Sequence, residues 1–309
     1  MLLLKNKQLS SIYAVLIVVY LLQTLAAPVD KLTLTKYHID TTQARLLTLT
    51  IAIPYIIIWC VALIGYIRLN IYITLIQKYK DGAAFKTISK GILWLGLWLP
   101  VSTIINNCFF EYYSGHHAAT ANLVRLNNYL NLVILFGGFW LVYKGSGQLL
   151  ALVKRKPTDV TSQAVTLLFI TFSVLYTFLT LQDVARQHPT ASVATATYYE
   201  PDWLILLTIV IPRLLYWFLG IYAVQNIYLY RKRIKGRLYK HALNNLALGL
   251  GAVVVVTVLL RCIQSLSATL ERLSLGLLLG VVYILLMLIS VGYVLIAKGA
   301  KSLQQLEEL

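Results

Sequence analysis

Leu49-Thr50-Ile51-Ala52-Ile53-Pro54-Tyr55-Ile56-Ile57-Ile58-Trp59 returns later in the same chain as Leu207-Thr208-Ile209-Val210-Ile211-Pro212-Arg213-Leu214-Leu215-Tyr216-Trp217. Six of the eleven positions are identical, among them a proline inside an apolar run and a tryptophan five residues beyond it. Apolar residues coincide easily, because a helix in lipid is apolar on every side. A matched Pro and Trp at fixed spacing do not. The likeness continues: Asn70-Ile71-Tyr72 recurs as Asn226-Ile227-Tyr228, Gly82 with Phe85-Lys86 as Gly236 with Tyr239-Lys240, and Lys144-Gly145 as Lys298-Gly299. The offset falls from 158 to 154 along the way, as two short deletions would leave it. The chain reads as a duplicated membrane unit, with a first repeat over 1–160 and a second over 161–309.

Composition sets the class. With 59% hydrophobic and 12% charged residues among 309, and a mean hydropathy of +0.74, the chain is too apolar for a soluble domain. Several runs approach or exceed the ~20 apolar residues that cross a bilayer. The expected fold is all-α and polytopic: eight transmembrane helices as two parallel four-helix repeats, both termini cytoplasmic. A net charge of +16 would suggest nucleic acid in a soluble protein. Here most of it lies in short loops between spans, so no nucleic-acid partner is expected. Three cysteines make neither a disulfide framework nor a zinc pattern.

The spans fall at about 9–27, 46–69, 88–110, 123–143, 163–181, 203–224, 242–263 and 273–296. The first resembles a signal peptide, with Lys5 and Lys7 before it and Thr24-Leu25-Ala26 as a passable cleavage site. It is read as a retained span, because Gln23 matches Gln182 at the end of the fifth and the chain begins at Met1. Nineteen of the 27 Lys and Arg residues fall on one side of this arrangement, and seven of the 11 acids on the other. The positive-inside rule makes the basic side cytoplasmic. Four spans per copy set both copies the same way up, about an axis along the membrane normal. Plasma or inner membrane is the expected location.

Proline and polar residues inside the spans carry the remaining signals. Pro54 and Pro212 remove a backbone donor at matching depth, and Pro100 does so in span three without a counterpart in span seven. All three are expected helix kinks. No Asp or Glu lies mid-span, which weighs against a proton-coupled carrier built on a buried carboxylate. Arg213 is the exception among charges, and the first copy has Tyr55 in its place. An unpaired cation there would cost at least ~2.5 kcal/mol, so Asp183 or Glu111 is expected to pair with it. Asn106 and Asn107 end span three, while Asn127, Asn128 and Asn131 open span four; the second copy is mostly apolar at those positions. These amides are helix glue or an outer polar vestibule, whose lining would be Asn106, Asn107, Glu111, Asn128, Asn131 and Arg213.

Other features point less sharply. Cys108 and Cys262 correspond by the 154 offset and could approach each other as a disulfide pair, though two separate thiols are the simpler reading. His116-His117, Glu111, His38 and Asp40 match no metal-site spacing, so no metal or cofactor is expected. Arg231, Lys232, Arg233, Lys235, Arg237 and Lys240 are an orientation signal and a candidate site for anionic lipid headgroups. Lys144-Gly145 and Lys298-Gly299 look like snorkelling lysines with glycines that end or bend a helix. The tail after Lys301 looks like a short, weakly amphipathic helix lying on the membrane or docking a partner.

No phosphate-binding loop, HExxH or GxSxG occurs, and no catalytic constellation sits at matching depth, so the chain is not expected to be an enzyme. It reads first as a non-catalytic membrane-embedded binding or assembly component, with a protein partner or second copy beside the bilayer itself. A small transporter or channel-like protein, with its pathway between the repeats, is the alternative. A lipid-acting enzyme would have only the outer His and Glu residues to work with. A polar cavity between the halves would favour transport; a dry interface there, with an apolar groove outside the bundle, would favour binding.

Overall fold

The computed structural model describes residues 2–26, 41–76, 81–113, 117–153, 167, 170–178, 210–234, 236–265 and 275–308. Among the described residues the chain is helical throughout and has no strand. The helices are α1 (Leu2–Ala26), α2 (Thr41–Leu75), α3 (Gly82–Tyr113), α4 (His117–Ala151), α5 (170–178), α6 (Ile211–Arg233), α7 (Arg237–Ser265) and α8 (Leu275–Glu308). Hydrocarbon leaves no partner for a free backbone N–H or C=O, and a helix pairs these groups within one segment. α2, α4, α7 and α8 contain stretches long and apolar enough to cross a membrane: Ala52–Leu75, Tyr129–Ala151, Arg237–Leu260 and Gly280–Leu306. α1 has a shorter apolar stretch, Gln8–Gln23. The protein is helical and membrane-embedded.

Several helices overrun the spans read from hydropathy. α8 has 34 residues, about 50 Å at ~1.5 Å per residue, against a hydrocarbon layer of ~30 Å. The tail after Lys301 is therefore no separate surface helix. It continues α8 without a break, and Leu303 is fully buried. Nothing in Lys301–Glu308 competes with helix: the segment is Ser, Leu, Gln and Glu after the lysine.

Six helices close a circuit. α2 packs on α3, α3 on α4, α4 on α6, α6 on α7, α7 on α8, and α8 back on α2. α1 lies against α2 and α3. Tyr13 and Tyr20 form its buried stripe, while Ile12, Val15, Val18 and Leu22 face outward. Between α4 and α6, the Phe139 and Tyr216 rings stack with centroids 5.7 Å apart and planes 6° from parallel.

Glycine makes the two closest seams. A Cβ added to Gly91 on α3 would lie 2.7 Å from the Gly138 carbonyl oxygen on α4, and one on Gly145 would lie 2.8 Å from that of Ala84. On the α7–α8 seam, a Cβ on Gly249 would lie 2.5 Å from the Gly292 oxygen, and one on Gly299 2.8 Å from that of Ala242. Gly145 and Gly299 therefore do not end their helices. They sit inside α4 and α8 and let the backbones touch.

Side-chain hydrogen bonds tie one end of the bundle together. The Tyr72 hydroxyl at the end of α2 lies 3.2 Å from that of Tyr239 at the start of α7. Tyr239 donates to Asp81, just before α3, at 3.4 Å. Arg233 at the end of α6 donates to the Val153 carbonyl past α4, at 3.3 Å. Between α6 and α7, Ile234 is extended and Gly236 takes a φ of +115°, which favours glycine.

These seams make a paired prediction. Gly249→Ala should destabilise the protein by about 1–3 kcal/mol through overpacking. Gly147→Ala, whose Cβ would meet nothing within 4 Å, should be neutral or stabilising by up to ~1 kcal/mol from helix propensity. Thermal unfolding of the two variants in detergent checks both signs.

Candidate functional site

Two regions gather the polar and charged groups. The first surrounds Arg213, on the first turn of α6. Its Nη1 donates to the Tyr176 hydroxyl from α5, and its guanidinium carbon lies 5.9 Å from the centre of the same ring. The Arg213 Nε is buried with no hydrogen-bond partner among the described residues. Tyr176 in turn meets Trp217 edge-on, with centroids 4.8 Å apart. Trp217 is one turn past Arg213, so one face of α6 holds both against a single tyrosine.

Tyrosine 176 was not among the partners expected for Arg213. Its signal was in the first half of the chain. There Tyr20 lies edge-on to Trp59 at 4.9 Å and reaches Tyr55 at 6.2 Å. The first half thus carries a Tyr–Tyr–Trp cluster and the second a Tyr–Arg–Trp one. The Tyr176 phenol oxygen accepts from the guanidinium, and its ring adds a cation–π contact.

The expected lining residues are placed unevenly. Asn131 is buried on α4. Asn106, Asn107 and Glu111 fall on the last turns of α3, and Asn128 on α4. Their side chains, and Asp183 and Lys235 altogether, lie outside the described residues, as do the side chains of Pro100, Cys108 and Cys262 and the loop histidines His38 and His116. Pro54 lies buried inside α2, while Pro212 is the second residue of α6. Among the described residues no group of three His, Cys, Asp or Glu side chains could hold a metal.

The second region is a cavity of about 570 Å³ between α6 and α7. Ile221, Val224, Ala247, Gly251, Val254 and Val255 give it an apolar wall, and Leu288 of α8 closes one side. Leu248 and Val255 on its rim are 54% and 38% exposed, so it opens on the outside of the bundle. Polar groups collect towards one end: Gln225, Tyr228 and Asn244. The Gln225 Oε1 is buried without a hydrogen-bond partner among the described residues. The Arg231 guanidinium carbon lies 5.6 Å from the Tyr228 ring centre, and the Lys232 Nζ 5.0 Å from it. Of the expected headgroup residues, Arg231 and Lys232 thus meet at one lining tyrosine, whereas Arg233 turns to the Val153 carbonyl.

At the same end, Tyr230 is a buried phenol beside the Asp81–Tyr239 contact. Burial pushes its pKa up, the Asp81 charge adds to the rise, and a hydrogen bond with Tyr239 opposes it. Compared with known protein families, characterised proteins and solved structures, the chain matches none.

The Arg213 cluster gives a stability prediction. Tyr176→Phe removes the hydrogen bond to a charged group and should cost about 1.5–3 kcal/mol. Arg213→Tyr, which installs the residue α2 carries as Tyr55, should cost less than Arg213→Ala, because a second ring refills the space. Unfolding midpoints of the three purified variants test the order.

Proposed function

We propose that the protein is a non-catalytic, multi-pass membrane component that binds its ligand or partner on the outer face of the bundle. The observation that carries this reading is the apolar groove between α6 and α7, beside a packed aromatic contact between the halves. Phe139 stacks on Tyr216 where α4 meets α6, and a Cβ on Gly220 would meet Phe139 at 3.0 Å. A solute path between the halves would need polar, hydrated walls there. The alternative, a transporter with an outer vestibule, draws its support from the buried Asn131 and the half-satisfied Arg213.

In this reading the eight helices are eight spans, made by doubling a four-helix unit with both copies the same way up. The contacts support it pair by pair. The α4–α6 and α8–α2 junctions exchange when each helix is replaced by the one four places on, as do α3–α4 with α7–α8 and α2–α3 with α6–α7. Gly145 meets Ala84 and Ile88, and Gly299 meets Ala242 and Leu246, at offsets of 154 and 158. They also favour a constant 158 through α2, α3, α6 and α7, pairing buried Tyr72 with buried Tyr230, over the gradual drift read at Asn226 and Gly236. The end carrying Lys86, Arg231 and Arg237 then faces the cytoplasm by the positive-inside rule, in a plasma or inner membrane.

The reading is tested by reconstitution. Liposomes holding the purified protein should show no more ion or small-solute leakage than empty ones. Flux above that background, abolished by Arg213→Ala, would show a pathway and overturn the proposal.

A further inference from the structure

The groove between α6 and α7 has the plan of a lipid site, and we infer that it holds one anionic glycerophospholipid. This rests on the outer-face binding reading above and names its ligand. The acyl chain lies along the apolar wall of Val224, Gly251 and Val255, and the phosphate sits beside Arg231 and Lys232.

Three observations converge on this occupant. The first is position: the groove opens past the exposed Leu248 and Val255, on helices of a membrane-embedded bundle, where hydrocarbon chains are the surrounding solvent. A cavity of about 570 Å³ is in the range of sites that enclose a small-molecule ligand.

The second is charge. Only one end of the groove is polar, and both cations meet the ring of Tyr228, which lines it. On α7, Lys240 and His241 precede the lining Asn244 by one turn, on its own face of the helix. Orientation alone accounts for a basic loop, but it does not require two of the cations to stand over a groove-lining ring. An anionic headgroup gains from each such cation, whereas a zwitterionic one carries its own ammonium to the same place.

The third is the buried amide oxygen of Gln225, which has no partner among the described residues and lies one turn deeper than Tyr228. A side-chain amide can present either end. Turned over, its NH₂ donates to an ester carbonyl, the group that lies between phosphate and chain in a glycerophospholipid. The order along the groove is then cation, amide, hydrocarbon, which is the order of the lipid.

The full-length protein is tested in nanodiscs of phosphatidylcholine with a minor share of phosphatidylglycerol, followed by release into mild detergent and native mass spectrometry. Wild type should retain one phosphatidylglycerol in preference to phosphatidylcholine. The double variant Arg231→Gln/Lys232→Gln should lose that preference by roughly tenfold or more, at the ~1 kcal/mol that each basic residue contributes near anionic lipid. Gly251→Leu, which fills the groove, should lose the retained lipid whatever its headgroup. Should Gly251→Leu fail to fold, Leu248→Trp at the rim serves the same purpose.

Equal retention of the two lipids by wild type would overturn the inference, as would undiminished retention in a folded groove-filled variant. A protein partner displaced by the groove-filling change, with no lipid retained, would overturn it while leaving the outer-face binding role intact. Solute flux in the liposome experiment would instead strike at the binding role itself.

Discussion

Close approach of backbones is the constraint on which the bundle depends. Lipid tails are as apolar as leucine, so no hydrophobic force gathers helices once they are in the bilayer. What remains is dispersion over well-matched surfaces, and glycine lets two helices share the most of it. Gly91, Gly138 and Gly145 do this for α3 and α4; Gly249, Gly292 and Gly299 do it for α7 and α8. With those two pairs welded, α2 and α6 bridge between them and the circuit closes. Larger residues at the seams would push α3 from α4 or α7 from α8 and open every other junction in turn.

In the proposed duplication the two halves use similar scaffolds differently. Against α2 and α3 lies α1, whose Tyr13 hydroxyl would stand 3.5 Å from a Cβ on Gly96. By the 158 offset the residue matching Gly96 is Val254, which lines the α6–α7 groove. Tyr55 in the first half gives way to Arg213 in the second, against a tyrosine in both cases. In the proposed duplication, one copy keeps a sealed aromatic face and the other has acquired a cation and a ligand-sized recess. Asymmetry of this kind is where function is expected to reside in a doubled fold, since packing alone would keep the copies alike.

The polar groups at the basic end have a structural part as well. Tyr72, Asp81, Tyr230 and Tyr239 join the end of α2 and the start of α3 to the α6–α7 turn. They fasten the two halves where Gly236 reverses the chain, and so hold the mouth of the groove in a fixed place.

Helical class and membrane residence were legible in the residues alone, because long apolar runs admit no other backbone pairing in lipid. So was the likeness of the Pro54–Trp59 and Pro212–Trp217 stretches, which is a matter of spacing. Helix ends were not: hydropathy registers where the lipid stops, while α8 runs on through Lys301 to Glu308 because nothing there breaks it. The contact of Arg213 with Tyr176 was also hidden. Neighbours across a bundle are set by helix rotation, which the order of residues does not give. The groove was least visible of all. Its wall is made of ordinary Val, Ala and Gly residues, and only the angle and separation of α6 and α7 decide that they enclose space and that Tyr228 carries two cations to its edge.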